Sequence, residues 1–208
     1  MTMSATTTRT GLVAILRGIT PDEVVAVGEA LVEEGFPAIE VPLNSPDPFE
    51  SIERLAAAVG TDCLVGAGTV LTVDDVIRAQ SAGSRIIVSP DANTEVVAAA
   101  VQRELHPYPG VTTPTDAFRA IRAGARSLKL FPSDAVRISG MHAWQAVLPP
   151  EVELLPVGGV DARNLAAWAS AGAGGAGLGS CLYRPGDAAA DVRVRARMLL
   201  DIWSEALA

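Results

Sequence analysis

Short apolar runs alternate along this chain with longer stretches in which apolar residues recur at helical spacing. Eight runs of mostly apolar residues stand out, at 12–16, 38–43, 64–67, 85–88, 105–108, 127–131, 153–157 and 175–178. Runs of four to six such residues, bounded by turn signals, suit buried strands. The stretches between them are rich in Ala, Leu, Glu and Arg. Helices are expected to start near Thr20, Thr72, Asn93, Thr115 and Asp161, residues whose side chains can cap a first turn. Several end on Ala-Gly, as at Ala82-Gly83, Ala123-Gly124 and Ala171-Gly172, where glycine closes a helix. A final helical pattern covers 188–207.

Strand and helix alternate without a linker, which argues for parallel strands covered by helices. Eight units in 208 residues leave 26 per unit, short for a (β/α)8 TIM barrel of about 250 residues but feasible with minimal loops. The expected fold is therefore α/β: one compact (β/α)8 barrel over 11–208, with 1–10 as a polar, loosely attached lead-in. A doubly wound open sheet is the alternative, but Arg17-Gly18-Ile19-Thr20 after the first strand lacks that fold's glycine-rich loop. Pro107, inside the fifth run, is a misfit for a strand.

Composition narrows the function. The chain is 49% hydrophobic and carries a formal net charge of -8, so it reads as a globular protein without nucleic acid or an anionic membrane surface as partner. No apolar run is long enough to span a membrane, and two cysteines form no disulfide framework, so a cytoplasmic location is expected. Cys63, Cys181, His106 and His142 have no metal-ligand spacing, and no metal is expected. The basic residues are fifteen arginines and a single lysine, Lys129. Codon bias explains a surface of arginines; it does not explain one lysine inside an apolar run.

Three charged residues sit at the C-terminal ends of strands, where a barrel carries its site: Arg17, Glu40 and Lys129. Period-two alternation sends their apolar neighbours toward the helices, which aims Glu40 and Lys129 into the barrel. A buried ion pair would use the same two residues, but such pairs are a costly route to stability. Unlike guanidinium, a desolvated amine loses its proton and attacks carbonyls to form a Schiff base. Glu40 would then move protons, and Arg17 would hold an anionic group or orient Glu40. Two glycine clusters follow the seventh and eighth strands: Gly158-Gly159, and Gly179 with Ser180. Backbone amides there could cradle a phosphate. Tight turning alone would also use these glycines. Gly66-Ala67-Gly68-Thr69 lets backbone approach closely and offers one hydroxyl, Thr69.

The stretches AILRGITPDE from Ala14, EVPLNSP from Glu40, GAGTV from Gly66, PGVTTPTDAF from Pro109, LKLFPS from Leu128, PVGGV from Pro156 and GAGLGSCLYRPG from Gly175 resemble the class I 2-keto-3-deoxy-phosphosugar-acid aldolases. That resemblance implies a (β/α)8 barrel, commonly a homotrimer, that cleaves a phosphorylated 2-keto acid to pyruvate and D-glyceraldehyde 3-phosphate without cofactor or metal. It implies that Lys129 is the Schiff-base lysine, Glu40 the acid/base and Arg17 the site arginine. Thr69 would lie near the pyruvate carboxylate, and Gly158, Gly159, Gly179 and Ser180 would bind the phosphate. Asn44 and Val157 stand where the gluconate enzymes tend to have arginine and threonine, so the chain looks like the galactonate branch. Asp91 and Arg137 depart from that branch, which tends to have Asn and Gly there. The alternatives are the gluconate epimer, 4-hydroxy-2-oxoglutarate, or a non-catalytic phosphosugar-binding barrel.

Overall fold

A computed structural model describes residues 10–208; the lead-in expected over 1–10 lies, Thr10 apart, outside the described residues. The first half runs β1 (Gly11–Ile15), α1 (Val24–Glu33), β2 (Ala38–Pro42), α2 (Pro48–Val59), β3 (Leu64–Gly68), α3 (Val73–Ser81), β4 (Ile86–Val88) and α4 (Thr94–Gln102). The second half runs β5 (His106–Tyr108), β6 (Gly110–Val111), α5 (Pro114–Arg122), β7 (Ser127–Leu130), α6 (Ser133–Gln145), β8 (Glu153–Pro156), α7 (Leu165–Ser170), β9 (Gly175–Leu178) and α8 (Ala189–Glu205).

The strands pair in parallel in the orders β5-β4-β3-β2-β1-β9 and β6-β7-β8. Two contacts close the circle. Val157 forms a parallel bridge to Gly177, and the Lys129 amide donates to Pro109 O at 2.9 Å, between β5 and β6. The fold is the expected curled parallel barrel, with β5 and β6 as two halves of its fifth stave.

That split explains the misfit proline. His106 donates to Arg85 O, and Tyr108 O accepts from the Ser89 amide, so both face β4. Alternation turns Pro107 and Pro109 toward β7. Both lack an N–H, so no ladder forms with β7 until Gly110 pairs with Lys129. Proline is tolerated because its missing donor faces a gap in the ladder.

Helix starts differ by a few residues from expectation. Thr113, not Thr115, caps α5 in a reciprocal box with Asp116, ahead of Pro114 at the first turn. Thr72 and Asn93 cap α3 and α4 as expected. Thr20 instead bonds the Glu23 carboxylate, which accepts from its N–H and O–H, and α1 begins only at Val24. The Asp161 turn likewise precedes α7, whose cap position is Asn164.

Core packing follows the strand alternation. Ile39, Val41, Leu128 and Leu130 are fully buried against the helices. A separate apolar group of Val13, Ala38, Ile86, Val88, Tyr108 and Leu155 fills the lumen. At its lower end Glu153 accepts from the Thr10 N–H and O–H and from the Ser127 hydroxyl. The Thr10 proton is thereby committed, so Tyr108 O–H donates to Thr10 Oγ1 at 3.0 Å. The N-terminal end of the lumen is sealed by this polar plug, and the site lies at the other end.

Candidate active site

Glu40 on β2 and Lys129 on β7 both project into the lumen and are 2% and 7% exposed. No salt bridge joins them among the described residues. Instead they line a small cavity of about 20 Å³ with Val13, Tyr108 and Leu155. The Lys129 Nζ lies 4.5 Å from the centre of the Phe131 ring. Glu40 Oε2 is buried without a hydrogen-bond partner among the described residues.

Burial sets the electrostatics. It pushes the Glu40 carboxyl up to about 7, against the pull of the Lys129 and Arg17 charges. It lowers Lys129, which Glu40 opposes and the Arg17 charge reinforces. The result is a carboxyl that ionises near neutrality facing an amine with a weakened hold on its proton.

Above the pair opens a cleft of about 470 Å³. Lys129 forms its floor; Arg17, Gly158, Gly159, Gly179 and Ser180 line it. Gly158 and Gly159 both take positive φ, +84° and +75°, a conformation that favours glycine. The Ser133 hydroxyl donates to Gly158 O, and Asn164 Nδ2 donates to Gly159 O at 2.7 Å, which fixes the turn. Arg17 is exposed, and its Nη1 donates to Asn44 Oδ1 at 2.7 Å. An arginine at position 44 could not accept that bond.

Six of the eight sequence-derived candidates line the large cleft, and Glu40 reaches Lys129 through the small cavity beneath. Thr69 lines neither cavity; it is half-buried with φ 55° at the end of β3. Two further residues were missed. Phe131 borders the cleft beside Lys129, and Arg184 stands in the wall after Ser180. Arg184 Nε donates to Ser180 O at 3.1 Å, and no carboxylate pairs with its guanidinium among the described residues. The signal for Arg184 was its place four residues beyond Ser180, which fourteen other arginines hid. Cys181 also borders the cleft, but burial raises its thiol above the ordinary range, which disfavours the nucleophilic thiolate. Among the described residues no three His, Cys, Asp or Glu side chains gather as a metal site, and no helix is long and apolar enough to cross a membrane.

A desolvated lysine facing a neutral-range carboxyl at the C-terminal mouth of a parallel barrel is the equipment of an imine-forming, class I aldolase. Among known families, "Aldolase: KDPG and KHG aldolase" matches residues 3–192, and the chain belongs to this family of Schiff-base lyases. It is 49% identical to the Rhizobium meliloti (strain 1021) protein named "Probable 2-dehydro-3-deoxy-6-phosphogalactonate aldolase", over 89% of this chain and 87% of that one. It is 44% identical to the 2-dehydro-3-deoxy-6-phosphogalactonate aldolase of Escherichia coli (strain K12), over 96% and 98%. A solved structure described as "Native KDPGal structure" superposes with a TM-score of 0.92 at 44% identity, covering 94% of this chain and 95% of that one.

Proposed function

We propose that this chain reversibly cleaves 2-dehydro-3-deoxy-6-phospho-D-galactonate to pyruvate and D-glyceraldehyde 3-phosphate through an imine on Lys129. The observation that carries this reading is the buried Lys129–Glu40 pair beneath a cleft walled by two glycine turns. The neutral Lys129 amine attacks the C2 ketone, and protonated Glu40 donates its proton as the carbinolamine hydroxyl leaves as water, which leaves a protonated imine and a Glu40 carboxylate. Glu40 accepts the C4 hydroxyl proton, directly or through water, as the C3–C4 bond breaks. The bond electrons pass into the imine to give an enamine, and the aldehyde departs. Glu40 returns a proton to C3, and water hydrolyses the protonated imine to release pyruvate and neutral Lys129, the proton set free returning to Glu40. The imine supplies the electron sink that this carbon–carbon cleavage needs. A metal is not part of this reading, and EDTA is expected to leave turnover unchanged.

Arg17, held by Asn44, serves the substrate carboxylate. The amides of Gly158, Gly159 and Gly179 and the Ser180 hydroxyl serve the phosphate, with Arg184 as the added cation. The Asn44–Arg17 bond and the apolar Val157 in the wall support the galactonate epimer over the gluconate one. The reading includes a cytoplasmic homotrimer; the exposed Leu71, Val73 and Ile77 beside and on α3 offer an apolar face for it, and sedimentation at several protein concentrations tests that state. Cleavage rates on the two C4 epimers and on 4-hydroxy-2-oxoglutarate test the substrate. The galactonate epimer is expected to have the highest kcat/KM. A preference for the gluconate epimer, or indifference to the phosphate, would refute the assignment.

A further inference from the structure

The glycines of β3 lack side chains for two different reasons. A Cβ on Gly66 would lie 2.1 Å from Ile86 O, the backbone of the neighbouring strand β4. A Cβ on Gly68 would lie 1.7 Å from Glu40 Oε2, 2.3 Å from its Cδ and 2.6 Å from its Oε1. Among the described residues no other group crowds Gly68 as closely. Its backbone is not in the left-handed region either, so conformation does not require glycine there. The register sets Glu40 opposite Gly66 and Pro42 opposite Gly68. The Glu40 side chain therefore runs forward along β3 and lays its carboxyl in the space a side chain at 68 would fill.

We propose that Gly68 is a positioning residue for Glu40: its missing side chain is the berth that holds the carboxyl against the barrel wall, apart from Lys129. The proposal rests on the aldolase reading, in which Glu40 moves protons. In the berth Oε2 has no partner among the described residues and the carboxyl is buried. The titratable groups that face it are Lys129 from β7, Arg17 from the end of β1 and Tyr108 from β5. A methyl at 68 removes the berth. The carboxyl must then move into the cavity it shares with Lys129. There, the nearer ammonium favours its ionised form.

The test uses the pyruvate half-reaction. On the imine, a base takes a C3 proton, the C–H electrons pass to the imine as an enamine, and a solvent deuteron returns to C3. Exchange into the pyruvate methyl is followed by NMR across pH, while borohydride trapping of pyruvate reports Lys129 separately. General acid–base groups contribute about 10²–10⁴-fold, so Gly68→Ala is expected to slow exchange by at least about tenfold. Its pH midpoint should move to lower pH, and Lys129 should still be trapped. Glu40→Asp draws the carboxyl back by one methylene, so adding Gly68→Ala in that background should cost less than about twofold.

Equal costs in both backgrounds, or an unshifted pH midpoint, would overturn the proposal. If Gly68→Ala alone fails to fold, folding of the double variant supports a clash with Glu40. Failure of both would make Gly68 a sheet requirement and overturn it. Wild-type protein that gives neither adduct nor exchange would instead overturn the aldolase reading itself.

Discussion

Replacing Glu40 by glutamine should change the pH dependence of stability, by an amount that follows from burial. The carboxyl is raised from an ordinary 4.5 to about 7, so the fold favours its protonated form. That displacement corresponds to about 3 kcal/mol. The stabilisation is fully present below about pH 4.5 and is lost as pH rises through about 7. Glu40→Gln keeps the shape but cannot ionise, so its stability should not share this loss. Any cost of burying the amide itself is the same at every pH and cancels from the comparison. Urea unfolding of both proteins, followed by tryptophan fluorescence from pH 4.5 to 8.5, checks this. The gap in favour of the variant should widen by about 3 kcal/mol, or about 1 M urea at a slope near 3 kcal/mol/M. A Lys129→Met background removes the opposing ammonium, and there the midpoint should move above 7. A gap that stays constant with pH would refute the account of Glu40 as a desolvated, neutral-range carboxyl.

Other consequences are equally specific. Arg137 interrupts α6 with φ 61° and ψ 167°, a region nearly exclusive to glycine that costs about 1–3 kcal/mol. After the entropy glycine adds to the unfolded chain, Arg137→Gly should stabilise the protein by about 1 kcal/mol, a rise of about 3 °C in Tm by calorimetry. Arg184→Ala should raise KM for the phosphorylated substrate about tenfold or more while leaving the KM for pyruvate in the exchange reaction unchanged, because a charge-assisted contact to phosphate is worth about 1.5–3 kcal/mol. Lys129→Arg should melt within a few degrees of wild type yet lose turnover, since guanidinium cannot deprotonate to attack a ketone.

The strands were legible because each needs an apolar face toward the helices, and that need is written as a local run. The fifth was placed as well, but the fit of its Pro107 was not legible, because that fit comes from the gap in the ladder with β7 that Pro107 shares with Pro109. Helix starts were legible where one side chain caps a turn, as at Thr72 and Asn93. They slipped where a further turn intervenes, as after Thr20 and Asp161. Lys129 and Glu40 declared themselves as charges inside apolar runs. Arg184 did not, because an arginine on an exposed loop looks like any other until the loop is folded over the cleft. Gly68 was visible as a glycine, but only the structure reveals that a carboxyl fills the place of its side chain. Thr69 was named from its hydroxyl, yet its backbone turns at β3's end and keeps it out of both cavities.

Lys129 is the one lysine among sixteen basic residues, and one measurement tests its role directly. The protein is incubated with pyruvate and borohydride, and intact and peptide masses are read. One irreversible pyruvyl adduct is expected, on the peptide that contains Lys129, and none in Lys129→Arg. No adduct, or an adduct only at the N-terminal amine, would contradict the imine mechanism.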